Sequence, residues 1–269
     1  MRTEFLSGPW GTTMKIIVAM KQVPVRDSHV RVHADGKWID EQDLSFEINE
    51  PDSYALEEAL VLKEKHGGEV VVLCAGPERA AQTIREALAK GADRAIHIEY
   101  DDLAARDTLD VARRLSSMVE AEKPDLILTG LQSDDLGFGQ TGVVIAEMLG
   151  IPHATIIMQV EMKEGAIRVR RELEDGWFQW VEMPLPALLT IQSGINKLRY
   201  ATLMGIKKAK TKEVRRVPAH DLGPAGRGSV SLDRVFLPHR KKETQILTGS
   251  ASEAAAKLVD ILKFDMRVL

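Results

Sequence analysis

The residues whose types and spacing could do chemistry are concentrated in one glycine-rich segment, 130–142, which reads GLQSDDLGFGQTG. It follows the apolar run Leu126-Ile127-Leu128 and precedes an amphipathic stretch, so it is predicted to be a loop that enters a helix. The first N–H groups of a helix lack partners within it, and the helix dipole is positive at that end. The segment therefore predicts a cradle of backbone amides for a phosphate group.

Within this segment, Gly137, Gly139 and Gly142 also match the spacing of the dinucleotide fingerprint. That fingerprint belongs to the first strand–helix turn of a Rossmann half, whereas this string follows a late strand. The first predicted strand is followed instead by 21–24, which reads KQVP and contains no glycine. The string thus predicts phosphate binding without predicting NAD.

The other candidate chemical groups are weaker. Cys74 begins a Cys-Ala-Gly-Pro turn at a strand end, where backbone groups could hold an adenosine or could form a plain turn. Its thiol is expected to be a small buried hydrophobe, and His97 to be structural. No histidine spacing suits a metal, and no triad is visible, so no metal site or catalytic residue is expected. Asp134 and Asp135 could bind Mg²⁺, although ribose or loop hydrogen bonding is the favoured interpretation.

The bulk composition bounds the class of protein. With 269 residues, 44% hydrophobic and 28% charged, the chain can bury a globular core. A net charge of -4 argues against a nucleic acid as partner. One cysteine excludes a disulfide framework and favours a reducing, cytoplasmic location. No apolar run reaches the roughly 18 residues of a membrane span, so no direct membrane insertion is expected.

The order of apolar segments predicts the fold class. Short apolar runs alternate with amphipathic stretches up to about residue 149, which predicts an α/β fold with an open, mostly parallel sheet flanked by helices, of the adenine-nucleotide-binding type. Asp35-Gly36 predicts a hairpin turn within 29–40. The expected strands are 16–19, 70–73, 94–98 and 126–128, and the expected helices begin near Pro51, Ala80 and Thr108.

Beyond residue 150 the pattern changes to closely spaced strand-like runs with an Asp175-Gly176 turn, which predicts an added β-hairpin region. A proline- and glycine-rich linker then precedes a last amphipathic helix, 252–264, whose apolar face is expected to pack on a partner chain. The expected organisation is an extension at 1–13, an α/β nucleotide-binding domain at 14–217, and an extended arm with its C-terminal helix at 218–269. The strand-like runs are 154–160, 167–173, 177–183 and 187–191.

A basic run lies between the hairpin region and the arm. The default interpretation of this run is a solvated face, and the alternatives are docking to an acidic protein or, less favoured, to nucleic acid. Few aromatic residues interleave with it, so stacking on bases is poorly supported. The run comprises Lys207, Lys208, Lys210, Lys212, Arg215 and Arg216.

A longer motif points to a family. Residues 169–190 read VRRELEDGWFQWVEMPLPALLT, which resembles the signature of electron-transfer flavoprotein beta subunits. That signature runs from a basic residue through two acids and a glycine to Gln or Glu, an aliphatic residue, a proline and an aliphatic pair. Further pieces similar to the family occur in its order at 18–21, 91–94, 140–142 and 196–203. The resemblance covers the chain from about Met14 onwards.

The resemblance implies a heterodimer with an electron-transfer flavoprotein alpha subunit. FAD would lie at the interface or within the alpha subunit, AMP would be bound as a structural nucleotide in this chain, and the chain would be an electron carrier subunit rather than an enzyme. The cofactor-binding residues expected here are Ala19, Lys21, Asn49, Ala75, Gln132, Ser133, Asp134, Asp135, Gly137, Phe138, Gly139, Gln140 and Thr141.

The resemblance also implies a docking segment. Residues 195–206 match the family's recognition loop, in which Leu203 would be the apolar anchor into a dehydrogenase, such as an acyl-CoA dehydrogenase, with Tyr200 and Arg199 beside it. Electrons would pass on to a quinone-linked oxidoreductase. The alternative is that Leu203 packs within the chain.

Two other functions remain open at this point. Electron-bifurcating members of the family hold a second FAD where AMP sits, but the loop here departs from their pattern and retains Gln140-Thr141-Gly142, which favours AMP. AMP-type members often have a third acid in this loop, where Leu136 or Gly137 stands here. An adenine-nucleotide sensor or hydrolase of similar fold is the third hypothesis.

Overall fold

The structure is a computed structural model that describes residues 14–100, 107–223, 230–238 and 244–268. The predicted extension at 1–13 and the charged part of the arm at 239–243 lie outside these residues. The chain divides into two units, one up to Val235 and one from Phe236 onwards.

The first unit is built on a nine-stranded sheet with the order β11-β5-β4-β1-β6-β10-β7-β8-β9. Every pairing from β11 to β7 is parallel, and the pairings β7–β8 and β8–β9 are antiparallel. The predicted mostly parallel sheet is thus confirmed. The strands are β1 (Lys15–Met20), β4 (Glu69–Gly76), β5 (Arg94–Glu99), β6 (Leu126–Gly130), β7 (His153–Lys163), β8 (Ala166–Glu172), β9 (Phe178–Pro184), β10 (Ala187–Ile191) and β11 (Val214–Pro218), with β2 (Gln22–Pro24) and β3 (Phe46–Ile48) forming a separate antiparallel pair.

Helices cover both faces of the parallel strands. The side chains of β1 alternate between two cores, with Ile16 and Val18 in one and Ile17 in the other, and all three are fully buried. Burial on both faces explains why the central strands read as continuous apolar runs instead of alternating ones. The helices of the first unit are α1 (Glu50–His66), α2 (Ala81–Lys90), α3 (Thr108–Glu122), α4 (Thr141–Leu149) and α5 (Leu203–Ala209).

The strand order creates a topological switch point between β1 and β6. After β1 the chain builds β4 and β5 on one side of it, and it then returns to place β6 on the other side. Because the connections leave β1 and β6 in opposite directions, a crevice opens beyond the carboxyl ends of these two strands. This crevice is where an α/β sheet of this kind takes its ligands.

The two predicted hairpin turns have different outcomes. The turn between β8 and β9 is formed by Glu174–Gly176, with Asp175 in the left-handed region at φ 55°, as the Asp-Gly pair predicts. The turn at Asp35-Gly36 also forms, with the Gly36 amide donating to the His33 carbonyl. The flanking segments there make a single antiparallel bridge, Val32 to Ile39, and so the predicted hairpin is confirmed only as an isolated bridge.

The second unit contains one helix, α6 (Ala251–Asp260), within its described residues. The hydroxyl of Ser250 accepts from the Glu253 amide, and the Glu253 carboxylate accepts from the Ser250 amide, so a capping box starts the helix. A π-helical turn, Ile261–Asp265, continues it, close to the predicted range of 252–264. No residue of α6 is buried within the described chain, and Leu258, Val259 and Phe264 are exposed.

No helix among the described residues has the length and apolar character needed to cross a membrane.

Candidate functional site

The site is assembled where α1 begins, against the carboxyl ends of β1 and β6. Pro51 stands in the first turn of α1, where its missing N–H costs no hydrogen bond. The residue before the helix, Asn49, is 1% exposed, and its side chain reaches the loop that follows β6. Its amide nitrogen donates to the Gln132 carbonyl at 2.9 Å, and its amide oxygen accepts from the Asp134 backbone N–H at 2.9 Å. Asn49 therefore fixes the loop from two sides.

The loop at 131–140 is also held by its own acids. One carboxylate oxygen of Asp134 accepts from the Glu50 amide at 3.2 Å, so the loop supplies a cap for the first turn of α1. The Lys21 ammonium group lies 2.7 Å from the Asp135 carboxylate. Gly137 and Gly139 have φ values of 65° and 63°, a left-handed conformation that glycine adopts without a Cβ penalty.

These contacts bear on the two interpretations of Asp134 and Asp135. Both carboxylates are engaged by groups of this chain, which favours loop hydrogen bonding over a magnesium site. Within the described ranges, no three His, Cys, Asp or Glu side chains come together in a way that could hold a metal ion.

Two glycines let helices approach the strand ends closely. A Cβ on Gly142, in the first turn of α4, would lie 2.7 Å from the Thr129 hydroxyl and 2.9 Å from the Thr190 methyl. A Cβ on Gly130 would lie 2.5 Å from an Asp52 carboxylate oxygen and 2.7 Å from the Pro51 Cβ. The glycine-rich segment is therefore pinned at both ends by close packing, and its polar loop lies between them.

The helix α4 begins directly after this loop. Among the described residues no side chain caps the helix, which begins at Thr141 after Gln140. The first-turn N–H groups of an uncapped helix are donors without intrahelical partners. The cradle for an anionic group stays a prediction at this helix start; Phe138, in the loop before it, is 58% exposed.

Sequence reasoning missed a central residue of the site, Asp52. Its side chain is buried, and its two oxygens accept from the backbone amides of Lys21 at 2.7 Å and Gly130 at 2.8 Å. Burial raises the pKa of Asp52 to about 7, although the two amides, the Asn49 side chain and the Lys21 charge act in the opposite direction. In the sequence, the signal for Asp52 was that an acid directly follows Asn49-Glu50-Pro51. Acids are common in the first turn of any helix, so this signal does not by itself indicate a site.

The remaining predicted nucleotide residues border the same crevice. Ala19 and Ala75 lie near the carboxyl ends of β1 and β4 and are 7% and 8% exposed. Next to Ala75, Cys74 is buried and burial raises its pKa to about 12, which confirms the prediction of a small buried hydrophobe. His97 is buried as well, with Nε2 3.1 Å from the Gly76 carbonyl, and burial lowers its pKa.

The predicted docking segment presents apolar side chains. Tyr200 is 93% exposed and Leu203 is 81% exposed, so the alternative in which Leu203 packs inside the chain is not what the structure shows. Thr202 caps α5 by accepting from the Gly205 amide at 3.0 Å. A Cβ on Gly205 would lie 2.2 Å from the Ala89 carbonyl oxygen, so α5 packs directly on α2.

Arg199 is oriented differently from its two neighbours. Its guanidinium group donates to Glu57 at 2.9 Å and to Glu64 at 2.6 Å, both on α1, and these hydrogen bonds raise its pKa. Asn196 donates to Glu58 on the same helix at 3.1 Å. Segment 195–202 is therefore fastened to α1 through carboxylates.

The basic run divides into two groups. The Lys212 ammonium donates to the carbonyl of Leu88 at 3.0 Å, and Arg216 donates to Glu99 at 3.0 Å, so these two residues serve the fold. The side chains of α5, Lys207 and Lys208, are exposed beside Leu203. The default interpretation of a solvated face is therefore right for part of the run.

Comparison with known proteins identifies the family. Residues 37–222 match the profile of the electron transfer flavoprotein domain. The chain is similar to the electron transfer flavoprotein subunit beta of Methylophilus methylotrophus, with 39% identity over 259 residues that cover 93% of this chain and 98% of the relative. It is 36% identical over 259 residues to the mitochondrial subunit beta of Oryza sativa subsp. japonica, covering 95% and 100%. It is 34% identical over 261 residues to subunit beta of Bacillus subtilis (strain 168), covering 95% and 100%.

These matches span the sheet, the glycine-rich loop and the hairpin that carries the sequence signature. Agreement of the family profile with near full-length relatives confirms the family that the signature at 169–190 indicates. The chain therefore belongs to the electron transfer flavoprotein family, among its beta subunits.

Proposed function

We propose that this chain is the beta subunit of a heterodimeric electron carrier and that it binds AMP as a structural nucleotide. The alpha subunit holds most of the contacts to FAD, which supplies the electron-transfer chemistry when bound. The observation that carries this proposal is the loop at 131–140, which Asn49 and Asp52 hold at the topological switch point. We expect no catalytic residue in this chain, because its role is to bind, position and dock.

The residues at the switch point suit a mononucleotide. Amides of the loop and of the first turn of α4 would hold the phosphate, with Lys21 supplying a positive charge. Backbone groups beside Ala19 and Ala75 would border the adenosine. The segment Gln140-Thr141-Gly142, at the entrance to α4, supports AMP over a second FAD.

The docking segment supports transfer from a dehydrogenase. Tyr200, Leu203 and Met204 are more than half exposed, and the lysines of α5 lie beside them. A small apolar anchor with a basic rim suits contact with an acidic partner surface. We propose that the partner is an acyl-CoA or other dehydrogenase and that electrons then pass to a quinone-linked oxidoreductase. Arg199 contributes to docking indirectly, because its hydrogen bonds to Glu57 and Glu64 hold the docking segment on α1.

The C-terminal arm supports a permanent partner. The apolar face of α6 and the turn that follows it, with Leu258, Val259 and Phe264 exposed, has the character of a surface that another chain covers. We propose that residues 218–269 pack on the alpha subunit. The single cysteine supports a reducing, cytoplasmic compartment for the heterodimer.

The decisive experiment is to identify the nucleotides released by acid from the co-expressed, co-purified heterodimer. We expect one AMP and one FAD per heterodimer. Two FAD molecules and no AMP would establish the electron-bifurcating alternative. A stable, nucleotide-free chain purified without an alpha subunit would contradict the proposal, and ATP turnover by that chain would support a sensor or hydrolase.

A further inference from the structure

The ends of β1 and β6 separate at the switch point and leave two backbone donors there. The last residues that these strands pair are Ala19 and Thr129. One or two residues further on, the amides of Lys21 and Gly130 both turn to the same acceptor, the carboxylate of Asp52. A single side chain of α1 therefore joins two strand ends that no longer join each other.

The two amides donate to different oxygens of this carboxylate, Lys21 to Oδ2 and Gly130 to Oδ1. A carboxylate offers two acceptor oxygens, whereas an asparagine of the same size offers one oxygen and an NH₂ group that is itself a donor. Besides the two amides, the Asn49 side chain beside α1 and the Lys21 ammonium group after β1 lower the pKa of Asp52, and the Asp52 charge in turn raises the pKa of the Cys74 thiol on β4. Asp52 is 5% exposed, so an unpaired amide beside it would be costly.

The same two residues are connected to the loop at 131–140. Gly130 immediately precedes the loop at 131–140, and Lys21 carries the ammonium group that pairs with Asp135 in that loop. Loss of either hydrogen bond to Asp52 would allow Lys21 or the start of the loop at 131–140 to move.

We propose that Asp52 is the positioning residue of the nucleotide site, and that its ionised carboxylate fixes Lys21 and the loop at 131–140 in the arrangement that retains a nucleotide phosphate. The inference rests on the proposed function for the identity of the ligand. It assigns Asp52 no contact with the nucleotide, because its oxygens are engaged by Lys21 and Gly130.

The test measures how fast bound AMP exchanges with labelled AMP in the purified heterodimer, for wild type and Asp52→Asn. At pH 8 we expect exchange to be about tenfold faster in D52N, since one amide loses its acceptor and meets the NH₂ group of asparagine instead. Because the pKa of Asp52 is about 7, the wild-type rate should approach the D52N rate at pH 6. Dividing the D52N rate by the wild-type rate at each pH cancels the effect of protonation of the AMP phosphate, which is the same in both proteins.

The matched control is Asp125→Asn. Asp125 accepts from the Lys15 amide at 2.7 Å, so it also joins β1 to the neighbourhood of β6, but at the opposite end of the sheet. We expect D125N to exchange AMP at the wild-type rate at both pH values. Equal rates for D52N and wild type at pH 8, slower exchange in D52N, or an equal effect of D125N would overturn the inference.

A second measurement uses the wild-type protein, in case D52N does not fold. Hydrogen exchange at the amides of Lys21 and Gly130, corrected for intrinsic rates, should lose protection between pH 8 and pH 6. Unchanged protection would overturn the inference. Absence of AMP from the wild-type heterodimer would contradict the proposed function instead, so the two failures are distinguishable.

Discussion

The loop at 131–140 and the segment at 195–202 are both fastened to α1, but by different chemistry. The loop is tied at the start of the helix through Asn49 and Asp52, which are 1% and 5% exposed. The segment is tied further along α1 through Arg199, whose side chain is 29% exposed and pairs with Glu57 at 7% and with Glu64 at 60%. Buried hydrogen bonds to backbone amides resist salt, whereas half-exposed ion pairs are screened by it.

The difference teaches that one helix can present two kinds of surface. At its N-terminal end, the buried side chains of Asn49 and Asp52 accept hydrogen bonds from backbone amides of neighbouring segments. Further along, carboxylates hold a short segment in place so that Leu203 is presented to solvent. The first arrangement suits a permanently bound nucleotide and the second suits a transient partner.

The largest expected effect that tests the buried end is the pH dependence of stability. The pKa of Asp52 is raised from 3.8 to about 7 in the folded protein. The stability that the protonated Asp52 contributes to the folded state is therefore fully present below pH 3.8 and is lost as the pH rises through 7. Between pH 3.8 and pH 7 and above, the free energy of unfolding of the wild type should therefore fall by about 4 kcal/mol relative to that of Asp52→Asn, which carries no titrating group at this position. Denaturant titrations of both heterodimers from pH 4 to pH 8 measure it. A pH-independent difference would show that Asp52 keeps an ordinary pKa.

Gly130→Ala tests the close packing at the same end. The added Cβ would lie 2.5 Å from an Asp52 oxygen and 2.8 Å from the Asp52 amide nitrogen, and the backbone atom has little freedom to retreat. We expect a loss of about 3 kcal/mol in the free energy of unfolding. The control is Gly150→Ala, where φ is 63° but no atom lies within 4 Å, so only a backbone strain of about 1 kcal/mol is expected. Equal losses for the two variants would contradict close packing at Gly130.

Leu203→Ala tests the exposed segment. Removal of an apolar anchor should slow electron transfer from the dehydrogenase about tenfold while leaving FAD and AMP content intact. Stopped-flow reduction of the flavin by the dehydrogenase measures the effect, and direct reduction by dithionite, which needs no docking, is the control. An unchanged rate of flavin reduction by the dehydrogenase would show that Leu203 is not the anchor.

Arg199→Lys tests how the segment is held. Lysine keeps the charge but loses the paired hydrogen bonds to Glu57 and Glu64, so the segment should become less ordered. We expect the KM for the dehydrogenase to rise about threefold with kcat unchanged, and the wild type to approach the variant at high salt. Glu57→Gln, which removes the charge of one of the two carboxylates that hold Arg199, should also raise the KM. A change in kcat with an unchanged KM would mean that Arg199 acts in some other way.

Much of the fold could be predicted because its signals are local. The apolar runs of β1, β4, β5 and β6, the Asp175-Gly176 turn and the glycine-rich entrance to α4 each follow from residues within one element. The arrangement at 29–40 could not be predicted from its turn alone, because strand pairing needs more than a compatible turn and only the Val32–Ile39 bridge forms. The candidate site was predicted through its loop, while Asp52 was overlooked.

The sequence by itself determined the α/β class, the position of the glycine-rich loop and the family signature at 169–190. Tertiary structure alone decided which strands became neighbours, and hence that β1 and β6 form the switch point. It also decided that Asp52 accepts from Lys21 and Gly130, which stand 31 and 78 residues away along the chain. Local patterns fix φ and ψ preferences and burial, but a hydrogen bond between distant residues exists only after the sheet has brought its strand ends together.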